Sequence, residues 1–386
     1  MAGKSEHFVP RFQIRFFSVD AEEKHTGIYN PNTGFFKSSI PLESQCQKDN
    51  FYGDKSNKVD DLLGEVETEA APIIKNIVET ETAPKRTSSE YPWLLMYTMD
   101  MAYRTKAVSD QLEQTMENSI KQIMKYDPDF KDFDIEGSRI KMKNAASTGM
   151  SIIWKHVFYA IDLSVKLIAN KSDTKFIMSD NPVIRYNQFL EQKKHPSGHL
   201  APLLKGLQIL FPISPDLMLV YFDKWAYNIG SEHEIVYLTN KYDVNKLNAL
   251  QVINCSESVY FTHEITNNYL VELRNKYQKV RDTNSSEMKI DTMVAGNGKG
   301  YLQMYEVNGN KEINLNLSFI RQTKQALKYS VKGPVPPFRH EELRSLLKHK
   351  MSAKGIPTDI ILKNLNPESF NGIDLESGQL KKEFVK

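Results

Sequence analysis

Phe176-Ile177-Met178-Ser179-Asp180-Asn181-Pro182-Val183-Ile184 reads as a buried strand, a polar break and a second strand. Phe176 to Met178 are apolar, and Pro182 biases Asn181 towards extended geometry. Asp and Asn side chains close turns on neighbouring backbone. The break therefore sets a hydroxyl, a carboxylate and an amide at the end of an apolar strand, where a rigid scaffold presents polar groups. Two readings stay open. Asp180 is a metal-binding or acid–base carboxylate with Asn181 orienting a substrate or a water, or it satisfies backbone N–H groups in a turn.

Upstream, residues 151–170 form a mostly apolar run broken by Lys155, His156, Asp162 and Lys166, which predicts an amphipathic or core helix. Val59, Leu62, Leu63, Val66, Ala70, Ile73, Ile74 and Ile77 recur at helical spacing, with Pro72 expected to kink or restart that helix. Ser89 is placed to cap a second helix with Pro92 in its first turn, running from Trp93 to Arg104. A charged third helix is expected over 107–126, then a turn-rich break over 127–137. Near the start, Phe12, Ile14 and Phe16 alternate with Gln13 and Arg15, which predicts a half-buried strand. Asn30-Pro31-Asn32-Thr33 is a hairpin turn.

Downstream, 188–200 reads as a polar loop, and Phe211-Pro212-Ile213-Ser214-Pro215 as scaffold, a turn between two strands. Helices follow over 244–254 and 265–280, with a short strand over 259–261 between them. After Asp282 the sequence turns polar; a strand over 301–307, the hairpin signal Asn308-Gly309 and a return strand over 313–320 are expected. Pro334, Pro336 and Pro337 precede a basic helix over 341–350. The expected class is α+β: a mixed or mostly antiparallel sheet packed against several long helices. Residues 1–282 form the core domain, and 283–386 a small C-terminal hairpin-plus-helix extension with a tail.

Fifty basic residues against 48 acidic ones leave a formal net charge of +2. That gives no reason to expect strong non-specific nucleic-acid binding, although a local basic groove stays open. Cys46 and Cys255 are the only cysteines, and no signal-like apolar run follows Met1. The expectation is a cytoplasmic protein with reduced thiols. No stretch reaches the ~18 uninterrupted apolar residues of a membrane span.

Three segments in this order are distinctive. His7-x-x-Pro10 leads to Phe16-Phe17; Val66-Glu67-Thr68-Glu69-Ala70-Ala71-Pro72 lies in a helix; Ser179-Asp180-Asn181-Pro182 is followed by Phe211-Pro212-Ile213-Ser214-Pro215. Together they resemble the prokaryotic family catalogued as domain of unknown function 4238. Asn50-Phe51-Tyr52, Arg104-Thr105 and Asn170 are further matches, and the resemblance covers roughly 7–262. Gln13 departs from it, standing where the family usually has an aromatic residue, and nothing beyond Asp282 has a counterpart. The resemblance implies a shared fold unit and a bacterial origin, and no reaction.

His7 lies inside a resembling motif and suits general-base work at neutral pH; a packed, backbone-bonded imidazole is its bland counterpart. Glu67 falls on the edge of the apolar helix face, facing a cleft or paired on a solvated surface, the reading preferred for Glu65 and Glu69. Arg104 clamps a phosphate or carboxylate, or bonds the carbonyls that end its own helix. His195 and His199 share a loop whose Pro196 and Gly198 oppose a helical metal pair. Lys299 lacks phosphate-loop spacing, and Glu287-Met288-Lys289, the nearest trio to a restriction-type core, falls in a polar linker. There is no nucleophile elbow, zinc-type spacing or dinucleotide fingerprint.

Two functional expectations follow. One is a metal-assisted phosphodiester hydrolase, a nuclease-like effector: Glu67 and Asp180 hold a divalent ion such as magnesium, His7 is the base, Arg104 binds phosphate and Asn181 orients substrate or water. His7, Glu67 and Asp180 would then share one pocket. The other is a non-catalytic interaction module whose polar residues are structural. Its extension would dock a protein partner through Arg339-His340-Glu341-Glu342-Leu343-Arg344.

Overall fold

The two strands that flank Asp180 lie in different sheets, so the turn between them carries the chain from one sheet to the other. The computed structural model describes residues 5–53, 58–125, 128–142, 145–195, 200–230, 235–282, 287–294, 300–307, 313–331 and 336–339, with short pairs at 373–374 and 379–380. The chain begins with β1 (Ser5–His7), α1 (Arg11–Arg15), β2 (His25–Asn30), β3 (Phe35–Pro41) and β4 (Gln47–Asp49). The helices α2 (Lys58–Thr80), α3 (Glu90–Tyr103), α4 (Lys106–Met124) and α5 (Ala145–His156) follow. Then come β5 (Ser164–Asn170), β6 (Met178–Ser179), β7 (Ile184–Tyr186), α6 (Gln188–Gln192), β8 (Gln208–Pro212), β9 (Leu217–Phe222), β10 (Tyr227–Ile229) and β11 (Ile235–Leu238). The helices α7 (Lys241–Asn254) and α8 (Asn267–Asp282) enclose β12 (Val259–Phe261). Beyond them lie β13 (Glu287–Val294), β14 (Gly300–Val307), β15 (Ile320–Gln322) and α9 (Lys324–Lys328).

The larger sheet has the order β11-β5-β9-β8-β7 and is antiparallel except for the parallel β11–β5 pair. The second sheet, β3-β2-β12-β6, is antiparallel throughout. The α+β expectation holds. Every residue of β8 and β9 is buried, because the larger sheet is covered on both faces and alternate side chains enter different cores. Leu167, Ile209, Leu219 and Tyr221 pack with residues of α2, α3 and α5. Ile168, Leu210, Met218 and Val220 pack with Val244, Leu247 and Leu250 of α7.

This two-faced burial explains the largest departure from expectation. The run over 151–170 is α-helical to His156 and 3-10 helical over Val157–Ala160, and its last seven residues are β5, between β9 and β11. Leu167 and Ile168 face opposite cores, so the segment is apolar on both sides and its period of two is hidden. The expected strand over 12–16 is the helix α1. The carbonyl of Pro10 accepts from the amides of Gln13 and Ile14, and the buried set Gln13, Ile14 and Phe17 follows a helical spacing.

Smaller corrections have local causes. Ser89 makes no side-chain cap, and α2 runs on through Pro72 without stopping. The expected loop over 188–200 opens with α6, which Asn187 caps by accepting from the amide of Leu190 at 3.0 Å. His195 is buried, not on a surface loop; His199 lies outside the described residues. So do Lys299, Asn308-Gly309 and the helix expected over 341–350. β14 pairs back onto β13, and the expected strand over 313–320 is strand only at its end, where β15 pairs with β10.

Residues beyond the boundary expected at 282/283 pack against residues before it. Leu315, Leu317, Ile320 and Ala326 are buried with Leu247 and Leu250. Lys246 Nζ donates to the Leu315 carbonyl at 2.8 Å. Arg339 is held by both carboxylate oxygens of Asp162, at 2.7 and 2.9 Å. Leu317→Ala is accordingly expected to cost about 2–5 kcal/mol in urea unfolding. A change under about 0.5 kcal/mol would instead make the later chain separable. No helix among the described residues is long and apolar enough to cross a membrane.

Candidate functional site

Arg104 ends the apolar helix α3 and is only 2 % exposed. A guanidinium so placed needs acceptors on several sides. Its Nη1 donates to Glu67 Oε1 at 2.6 Å, its Nη2 to the His7 carbonyl at 2.7 Å and its Nε to the Tyr52 hydroxyl at 3.0 Å. Burial alone would lower the Arg104 pKa; Tyr52 and Glu67 outweigh it and raise the pKa above the usual value. Burial pushes the Tyr52 hydroxyl up to about 12, so it stays protonated. Glu67 reaches Arg104 from the rim of α2, whose Leu63, Val66, Ala70 and Ile74 fill the core.

His7 sits at the end of β1 with its backbone pinned by Arg104 and its ring half-buried. Its Nε2 lies 3.3 Å from the Glu43 carbonyl. A carbonyl only accepts, so this contact selects the Nε2–H tautomer and leaves the Nδ1 lone pair available. Burial lowers the His7 pKa below its ordinary value, partly offset by the Glu43 carbonyl, and Arg11 lowers it further. The imidazole is therefore neutral at pH 7. Arg11 also pairs with Glu43 at 3.4 Å on the exposed rim.

Asp180 belongs to a second cluster. Its Oδ1 accepts from the Ser256 amide at 2.8 Å, and its Oδ2 from the amides of Glu257 and Ser258 at 2.7 and 3.0 Å. Burial raises its pKa, and these three N–H groups hold the rise back. Asn181 Oδ1 accepts from the Thr105 hydroxyl at 2.8 Å, while its amide nitrogen reaches the Asn254 carbonyl at 3.3 Å. The turn thus ties the end of α7 to the start of α4. The two clusters meet at one peptide bond, since Arg104 serves the first and Thr105 the second.

His7, Glu67 and Arg104 come together; Asp180 and Asn181 make their own bonds elsewhere. The residues present do not fit a divalent ion. Glu67 is neutralised by Arg104, both Asp180 oxygens are occupied by backbone donors, and a hard cation needs several free oxygens. Among the described residues no group of three or more His, Cys, Asp or Glu side chains is arranged to hold a metal.

Sequence reasoning missed Asp100, one turn before Arg104. It is fully buried, takes the indole N–H of Trp154 on Oδ1 at 2.9 Å, and burial pushes its pKa to about 7 against the opposing effect of Arg104. The available signal was one carboxylate within the apolar run from Tyr91 to Tyr103. Gln13, the departure noted in the sequence, is buried and donates to the Ile213 carbonyl at 3.1 Å. It thereby joins α1 to the turn between β8 and β9. Cys46 and Cys255 are free, buried thiols, with pKa values pushed up by burial.

The family model described as Protein of unknown function (DUF4238) matches residues 6–264. No curated protein matches the chain, and no solved structure does.

Proposed function

Since the chain belongs to the DUF4238 family of proteins of unknown function, its activity has to be argued from the site, and we propose a metal-independent phosphodiester hydrolase, a nuclease-like enzyme acting on RNA with His7 as its base. The observation that carries this reading is the half-buried His7 ring, held at Nε2 by the Glu43 carbonyl with Nδ1 left available. RNA is the phosphodiester that suits a lone base, because its own 2′-hydroxyl is the nucleophile. His7 Nδ1 takes the 2′-hydroxyl proton, the 2′-oxygen attacks phosphorus, and the bond to the 5′-oxygen breaks. That oxygen takes a proton from water and leaves as a 5′-hydroxyl, with a 2′,3′-cyclic phosphate on the other fragment, and the His7 proton returns to solvent. Arg11, exposed beside His7, takes the phosphate role first given to Arg104, whose guanidinium is buried among internal acceptors. Glu67 and Arg104 hold the His7 segment in place.

The test is cleavage of single-stranded RNA in EDTA. The wild type is expected to cut RNA and not DNA of the same sequence; His7→Ala should lower the rate at least ~100-fold with an unchanged melting temperature, and Arg11→Ala should raise KM. No cleavage by the wild type, or full activity in His7→Ala, overturns the reading. The internal bonds that Arg104, Asp180 and Asn181 make favour a second reading, a non-catalytic protein-interaction module with structural polar clusters. An inactive wild type whose His7→Ala variant is equally stable would select it.

A further inference from the structure

Asp100 is a buried carboxylate near the first cluster that this reading leaves without a role. Unlike Glu6, whose carboxylate accepts from the Tyr52 amide at 2.8 Å, it has an oxygen without a donor among the described residues. It lies on α3, fully buried, with Oδ1 bonded to the Trp154 indole, while its Oδ2 has no hydrogen-bond partner among the described residues. A buried oxygen with no donor is costly when it carries charge, and far less so when it carries a proton. We propose that Asp100 is an internal proton-binding switch that controls how firmly Arg104 holds Glu67 and the His7 backbone. The proposal does not depend on what His7 does.

The charged groups that bear on Asp100 are Arg104, on its own helix, and Glu67, facing from α2. Tyr52 and Tyr97 feel its charge in turn, and both phenols are raised by burial and stay neutral. Trp154 packs from α5 and does not titrate. With Asp100 protonated, Glu67 is the only anion bonded to Arg104, so the guanidinium stays on Glu67, Tyr52 and the His7 carbonyl. With Asp100 ionised, a second anion draws the guanidinium back along α3 and repels Glu67. The grip on His7 weakens as the proton leaves. Burial places that change near neutral pH, where a modest shift in acidity alters the population of both forms.

Trp154 supplies a reporter. The indole ¹H–¹⁵N resonance of Trp154 and the ¹³Cγ resonance of Asp100 are followed from pH 5 to 9 in the full-length wild type. Both are expected to show one inflection near pH 7, while the indoles of Trp93 and Trp225 do not. In Asp100→Asn, which keeps an acceptor for Trp154, the Trp154 inflection disappears. Amide exchange at His7 and Phe8 should rise about tenfold across the transition in the wild type, after correction for intrinsic exchange, and stay flat in the variant. An Asp100 ¹³Cγ shift that titrates below pH 5, or not at all up to pH 9, overturns the proposal without any variant having to fold. Exchange that rises equally in Asp100→Asn overturns the link to Arg104.

Discussion

An Arg104→Met variant is expected to lose about 3–5 kcal/mol of stability, read as a shift in the urea midpoint. Methionine fills much of the volume and cannot donate. Glu67 is then left facing the core's edge without its cation, the Tyr52 hydroxyl loses a 3.0 Å donor and the His7 carbonyl a 2.7 Å one. An exposed ion pair would cost under about 1 kcal/mol; the buried setting of Arg104 makes the difference. Arg104→Lys should recover only part of the loss, since one ammonium cannot span three acceptors lying in different directions. A loss near 1 kcal/mol in the Met variant would mean that the cluster relaxes around water, and that Arg104 does not organise it.

Asp180→Ala is the second large effect. Three backbone N–H groups at 256–258 lose a charged acceptor, and a hydrogen bond to a charged group contributes about 1.5–3 kcal/mol. A total loss of about 3 kcal/mol or more is expected. Asp180→Asn is not silent either. Its oxygen can serve the two donors on one side, but its amide nitrogen then faces the third N–H, donor to donor. The variant should lose about 1–3 kcal/mol, more than the near-zero effect expected of a charge-only role. Thermal melts of the two variants check the order: wild type above Asn, and Asn above Ala. An Asn variant as stable as the wild type would return Asp180 to the list of groups held for their charge.

The polar break at Ser179–Pro182 was legible because its composition allows few backbone paths. Pro182 and the Asx residues force a turn whichever sheets lie on either side. The crossing between sheets was not legible, since β6 is two residues long and its pairing with β12 joins positions some eighty apart. α2 was legible because only one of its faces is buried. β5 was not, because both of its faces are, and a strand apolar on two sides looks like a core helix. Within the site, Arg104 and Glu67 were found as residue types, and their pairing across 37 positions is a product of helix packing that no local pattern encodes. Asp180 stays open to two readings in the sequence because a carboxylate at a strand end serves metal and backbone equally well. The three amides it accepts from lie after Cys255, 76 to 78 positions further on, where no local pattern reaches.

His7 itself carries the central claim, so its protonation is the most direct measurement. Long-range ¹H–¹⁵N correlation of the wild type, with His7 assigned by comparison with His7→Ala, reports both tautomer and titration. The account predicts an Nε2–H tautomer with a pKa below the ordinary 6.5, unchanged by EDTA or millimolar magnesium. An Nδ1–H tautomer would contradict it, because the ring would then lack the free Nδ1 lone pair on which the proposed base depends; a pKa raised above ~7 would do the same by leaving the ring protonated at neutral pH.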